Sequence, residues 1–273
     1  LVTQSLKPVF LFSDSSHYSI PKNAHLLGLR AIPLKAQSTG EMDYAQLKDV
    51  LQKLDASEGV ILNMNLGTTM TGAMENLKAI NDCIDTLEFP REKLFLHVDA
   101  ALMGFIYPFL ETAEPLFKNG AHSIAMSGHK FPGAIHPCGI VLTKRDKHDA
   151  AFGDNWIPYV GSKDTTISGS RNGFLALNLW YIFQKKGIQG FKKEGMECIE
   201  NAQYLTQKLK DMEYPNVFQF PNQIIVTFKK PVPELVRKYQ LATQGDMAHV
   251  VVMQHITPAR IDAFCADLER SGF

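Results

Sequence analysis

The chain is poor in cysteine, carries no excess charge of either sign and has no long apolar run. Its four cysteines, Cys83, Cys138, Cys198 and Cys265, stand far apart in 273 residues. None forms a Cys-x-x-Cys pair, which argues against a metal site and against a disulfide framework. They read as reduced thiols of a cytoplasmic protein. Lysine plus arginine and aspartate plus glutamate both number 28, so the net charge is zero. Without a basic tract or an acidic run, nucleic acid and anionic membrane surfaces are excluded as partners. No apolar stretch approaches the roughly 20 residues that span a bilayer. The opening residues, Leu1 to Pro8, lack the basic-then-apolar order of a secretory leader. They also lack an initiator Met and read as mid-domain sequence, so a segment upstream is expected to be missing. What remains is a 45% hydrophobic chain, able to bury a large core around a small-molecule site.

Short apolar runs alternate with amphipathic stretches. Pro8–Ser13, Ala31–Leu34, Gly59–Met64, Leu94–Val98, Ser123–Met126 and Gly139–Leu142 read as strands. Asp14, Ser15 or Ser16 can cap a helix that carries His17 in its first turn. Helices are expected over 43–54 and 76–87, then over 172–186 and from 190 to 212. Near the end, Ile224–Phe228 and Val250–Met253 read as strands and 258–270 as a helix. This order predicts an α/β fold: a mostly parallel central sheet with helices on both faces, then a smaller C-terminal α+β domain. The expected domains are 1–187 and 188–273. In such sheets functional groups collect at the carboxyl ends of the strands, and His17, Thr69, Asp99 and Lys130 each fall just past one.

Lys130 lies in Ser127-Gly128-His129-Lys130-Phe131, and the strand before it reads His97-Val98-Asp99-Ala100-Ala101. An apolar strand ending in aspartate, followed by a small polar turn with a lysine, suits pyridoxal phosphate (PLP). The lysine can hold the cofactor as a Schiff base. The aspartate can face the pyridine nitrogen and keep it protonated. Each residue has a plainer reading: Lys130 as a surface lysine, Asp99 as a helix cap, His17 as a surface histidine. On the functional reading His17 stacks on the cofactor ring and meets the substrate carboxylate. Ala101 is small enough to pack on a flat ring, and Ser127 and His129 can donate to a phosphate. Gly67-Thr68-Thr69 is either a plain turn or the means of placing the Thr69 hydroxyl at the ring. Ser168-Gly169-Ser170-Arg171-Asn172-Gly173 opens a helix, with either an anion or an ordinary cap at its start. Tyr159 to Thr166 reads as a lid.

Together, His17-Tyr18-Ser19, Gly67-Thr68-Thr69, His97 to Ala101, Ser127 to Lys130 and Ser168 to Gly173 resemble the motifs of the group II PLP-dependent amino acid decarboxylases. Within that family the resemblance is nearest the branch of bacterial histidine decarboxylase and plant serine decarboxylase. It implies the aminotransferase-like architecture of PLP fold type I, assembled as a homodimer or homotetramer. It makes Lys130 the Schiff-base lysine, Asp99 the partner of the ring nitrogen and His17 the stacking residue that meets the substrate. Ala101 is implied on the opposite ring face, with Thr69, Ser127, His129, Ser168 and Ser170 as further cofactor contacts. In relatives the segment like Ser168 to Asn172 reaches the neighbouring subunit's site. The small-residue loop that cups the phosphate lies upstream of the His17 motif in the family and is not in this sequence. The animal aromatic amino acid decarboxylases have a longer lid with a catalytic tyrosine; Tyr159 is the nearest candidate for that proton donor. The implied substrate is L-histidine, giving histamine. L-Serine giving ethanolamine is the runner-up, and a non-catalytic relative acting as a binding subunit stays open. An aminotransferase or carbon–sulfur lyase on the same fold is more remote.

Overall fold

A computed structural model describes residues 6–153, 156–166 and 168–272. Six strands build the central sheet: β1 (Lys7–Ser13), β2 (Arg30–Leu34), β3 (Glu58–Asn65), β4 (Leu94–Asp99), β5 (Ser123–Ser127) and β6 (Gly139–Thr143). Their order is β2-β1-β3-β4-β5-β6. The first five run parallel and β6 is antiparallel to β5. β1 and β3 are buried along most of their length, as strands covered on both faces must be.

Helices α1 (Ser19–Leu26), α2 (Tyr44–Gln52) and α3 (Leu77–Thr86) cover the sheet. Alternation along β1 divides them. Phe10 and Phe12 pack with Ile20 and Ala24 of α1. Val9 and Leu11 point the other way, into the large core that holds Leu47 and Leu51 of α2 and Ile80 and Ile84 of α3. Asp43 caps α2, accepting from Ala45 N at 2.9 Å and Gln46 N at 3.0 Å. Asn76 caps α3 through Ala79 N at 3.1 Å.

Helix α1 starts later than expected. His17 precedes it, and no side chain caps its first turn. The Asp14 carboxylate instead accepts from Ala36 N at 2.9 Å, across the β1–β2 edge. Ser13 Oγ accepts from Ser15 N at 3.2 Å. The local donors and acceptors thus shape a loop, and His17 rides on that loop.

Past β6 come a short helix α4 (Arg145–Phe152) and a hairpin of β7 (Trp156–Ile157) and β8 (Ser162–Lys163). Helix α5 then runs from Gly173 to Asp211 with a kink at Gly187, whose φ of 59° and ψ of −178° break the helical path. After the kink α5 buries Phe191, Cys198 and Ile199 in the large core. One turn on, Ala202, Leu205 and Leu209 belong to a second core. That core joins α5 to β9 (Phe218–Gln219), β10 (Ile225–Lys229), α6 (Pro233–Tyr239), β11 (Ala242–Gln244), β12 (Met247–Val251) and α7 (Pro258–Ser271). The second sheet is antiparallel in the order β11-β12-β10-β9. No helix among the described residues is long and apolar enough to cross a membrane.

Candidate cofactor and active site

Parallel strands present their carboxyl ends on one rim, and here that rim opens on a cavity of about 770 Å³. The loop after β1 brings His17. The turn after β3 brings Thr69, β4 ends at Asp99 and leads to Ala101, and the turn after β5 brings Ser127, His129 and Lys130. All seven line this cavity. Pairing fixes the depth of the acid: Asp99 stands opposite Asn65 on one side and Ala125 on the other.

Asp99 is half-buried. Its Oδ1 accepts from Ala101 N at 3.1 Å, and no basic side chain among the described residues forms an ion pair with it. Lys130 is half-buried as well. Both charges act on His17. Burial, then the Lys130 ammonium, pull the His17 pKa below its ordinary value, and the Asp99 carboxylate opposes them. The imidazole therefore stays neutral near neutral pH. Its Nδ1 meets Ser19 Oγ at 2.8 Å and accepts from Ser19 N at 3.3 Å, which leaves the proton on Nε2.

Close packing shapes the lysine turn. A Cβ at Gly128 would sit 2.5 Å from Cys138 Sγ and 2.9 Å from Leu179 Cδ2, so any larger residue forces these side chains to move. His129 Nδ1 accepts from Cys138 N at 3.0 Å, which frees Nε2–H as a donor. Gly67, at φ of 106°, allows the reversal that exposes Thr69.

Three residues escaped the sequence reading. Asn65 Nδ2 donates to Ser16 Oγ at 2.9 Å and to Glu75 Oε1 at 3.0 Å. Glu75 Oε2 also accepts from Asn65 N at 2.6 Å. Glu75 is buried, and burial pushes its carboxyl up to about 8. His249 enters the cavity wall from β12. Asn65 and Glu75 are joined across the turn after β3, and only tertiary packing brings His249 to the cavity.

Tyr159, Ser168 and Ser170 do not line the cavity of this chain. Tyr159 is 93% exposed at the β7–β8 hairpin. Ser168 and Ser170 are exposed, and Arg171 between them and α5 pairs with Asp164 at 3.3 Å.

An amine, a carboxylate without a cationic partner and a neutral imidazole around one cavity are the groups that a pyridoxal aldehyde, its ring nitrogen and its ring face require. Ser127 and His129 supply donors suited to a phosphate. The fold and this donor set define a PLP-binding protein of fold type I, and pyridoxal phosphate is its cofactor.

The family follows from comparison. Residues 2–230 match the pyridoxal-dependent decarboxylase conserved domain, and the chain belongs to that family. It is 38% identical over 275 residues to serine decarboxylase 3 of Oryza sativa subsp. japonica, covering 99% of this chain and 61% of the relative. It is 36% identical over 259 residues to histidine decarboxylase of Vibrio anguillarum, covering 94% and 66%. L-Methionine decarboxylase from Streptomyces sp. 590 superimposes with a TM-score of 0.83 at 26% identity, covering 97% of this chain and 69% of that one. The chain thus spans less than two thirds of the length of the curated relatives.

Proposed function

We propose that the protein decarboxylates an L-amino acid, with L-histidine as substrate and histamine and carbon dioxide as products. One observation carries the reading: Lys130, Asp99 and His17 line the same cavity, and the first two both act on the His17 ring. The choice of histidine rests on the likeness of the Gly67 to Ala73 and Ser168 to Tyr181 stretches to the bacterial enzymes. L-Serine giving ethanolamine is the second reading, supported by the 38% identity to a serine decarboxylase.

Bound pyridoxal phosphate supplies an electron sink for the pair left on Cα when carbon dioxide departs. Lys130 Nζ would hold it covalently. Asp99 would keep a proton on the pyridine nitrogen with its carboxylate, which pairs with no basic side chain among the described residues. Neutral His17 would offer a ring face to the cofactor, and its Nε2–H, left free because Nδ1 accepts from Ser19 N, would be a donor for the substrate carboxylate. Ala101 would leave room on the other ring face, Thr69 would offer its hydroxyl to the ring, and Ser127 and His129 would donate to the phosphate; all four line the cavity. The proton returned to Cα comes from Tyr159, His129 or water.

Tyr159, Ser168 and Ser170 are assigned to the cavity of a second copy, with a homodimer or a homotetramer as the proposed active form. Exposed Trp156, Phe174, Leu177, Trp180 and Tyr181 support this; apolar surface of that extent marks an interface. The free cysteines agree with a cytoplasmic setting.

The test uses a panel of carboxyl-labelled amino acids with capture of carbon dioxide, run on wild type and Lys130→Ala. Histidine is expected to release label, and the variant to lose turnover and to retain no cofactor after borohydride. Release from serine but not histidine overturns the substrate. Native turnover in the variant overturns the role of Lys130, and a colourless wild type favours the binding-subunit reading.

A further inference from the structure

The loop that carries His17 is bonded mostly to itself. Ser16 N donates to the Ser13 carbonyl at 2.9 Å, and Ser15 N to Ser13 Oγ at 3.2 Å. His17 and Ser19 bond to each other, and Ile20 N donates to the His17 carbonyl at 2.9 Å. Among the described residues, one hydrogen bond joins residues 15–19 to another segment of the chain: Asn65 Nδ2 donates to Ser16 Oγ at 2.9 Å.

The Asn65 amide is itself held on its other sides. Nδ2 also donates to Glu75 Oε1 at 3.0 Å, and Oδ1 accepts from Asn63 Nδ2 at 3.2 Å. Asn65 N donates to Glu75 Oε2 at 2.6 Å, and Glu75 N donates back to the Asn65 carbonyl at 2.9 Å. Asn63, Asn65 and Glu75 are all buried, so a broken bond in this set leaves a buried polar group unpaired. An amide fixed in this way cannot turn to follow Ser16, and Ser16 is drawn to it. Asn65 is also the register partner of Asp99, and Leu66 N donates to the Asp99 carbonyl at 2.7 Å. The contact therefore ties the His17 loop to the strand end beside the acid.

We propose that Asn65 is a positioning residue: anchored on Glu75, its amide grips the Ser16 hydroxyl and so fixes where the His17 ring stands in the cavity wall. The inference rests on His17 being the residue that meets cofactor and substrate. Asn65 acts through that ring. Displacing a group at a reacting centre by about 1 Å can cost about a hundredfold in rate.

The first test uses the cofactor-free chain with labelled histidine, in which NMR follows the His17 ring through pH, its signal assigned by loss in His17→Asn. Burial and the Lys130 ammonium depress this pKa. Ser16→Ala releases the loop, and the His17 midpoint should rise toward the ordinary 6.5. Ser16→Thr keeps the hydroxyl and should keep the wild-type midpoint. In the PLP-loaded chain, carbon dioxide release is measured from L-histidine or L-serine, whichever wild type turns over. Ser16→Ala should lower kcat/KM about tenfold while the melting temperature falls by less than about 4 °C. Asn65→Ala should move the His17 midpoint in the same direction, and adding Ser16→Ala to it should change nothing further. If Asn65→Ala does not fold, the two Ser16 variants decide alone. An unmoved His17 midpoint or an unchanged kcat/KM in Ser16→Ala overturns the proposal. Equal shifts in Ser16→Ala and Ser16→Thr overturn it too, as do shifts from Ser16→Ala and Asn65→Ala that simply add. A wild type that takes up no PLP overturns the mechanism above, and the His17 titration still judges the grip.

Discussion

Glu75→Gln should change how stability depends on pH. Glu75 is buried against Asn65 beneath the cavity, with Glu41 adding repulsion, and its carboxyl titrates at about 8 in place of 4.5. The folded state therefore binds this proton more tightly than the unfolded chain. The stabilisation is full below pH 4.5 and drains away as pH rises to 8. From 4.5 to about 8 is a span of about 3.5 units, which at about 1.36 kcal/mol each makes about 5 kcal/mol. Relaxation of the surroundings makes that an upper bound. Glutamine has no proton to lose, so the Glu75 slope vanishes in the variant. The offset between the two proteins also contains the cost of placing an amide NH₂ among donors, so the slope carries the test. Urea unfolding of both proteins at half-unit steps from pH 5 to 9 gives the difference in free energy. Wild type should lose about 1 kcal/mol per pH unit relative to the variant between pH 6 and 8. Parallel curves would refute the placement of a buried, proton-holding carboxyl at this position.

Two further outcomes test the site and its frame. Asp99→Asn keeps the size of the side chain and the oxygen that accepts from Ala101 N, but it cannot hold a proton on the ring nitrogen. Cofactor should still bind while kcat falls about a hundredfold or more, read by absorbance and carbon dioxide release. Gly128→Ala drives a methyl into Cys138 and Leu179; it should destabilise the fold by about 1–3 kcal/mol and weaken PLP retention, measured by thermal unfolding and by dialysis.

Much of the central sheet was legible because its strands are apolar runs bounded by polar turns, and burial on both faces demands that pattern. The ends of β1, β3, β4 and β5 were legible for the same reason, and with them the rim that carries His17, Thr69, Asp99 and Lys130. Helix α1 was misplaced because the Asp14 carboxylate is committed to Ala36 N, a partner 22 positions along the chain. Local capping rules do not see such a contact. The β7–β8 hairpin and β11 escaped because strands of two or three residues exist only by virtue of their partners. Helix α6 did carry a signal, proline in its first turn, but seven residues show too little periodicity to use it. The antiparallel direction of β6 depends on the tight turn after Lys130, where Gly128 N donates to the Cys138 carbonyl at 3.0 Å. Asn65 and Glu75 meet across the turn after β3, and His249 reaches the cavity through packing of the distant C-terminal sheet.

Helix α5 has a mechanical consequence. Past its kink it passes without interruption from one hydrophobic core into the other, between Ile199 and Ala202. No slack tether joins the two lobes; a stiff beam is embedded in both. Melting the C-terminal lobe strips side chains that the same beam presents to its neighbour. The lobes should therefore come apart in one concerted event, and any breathing of the cleft between them must be a tilt of whole bodies about that shared axis.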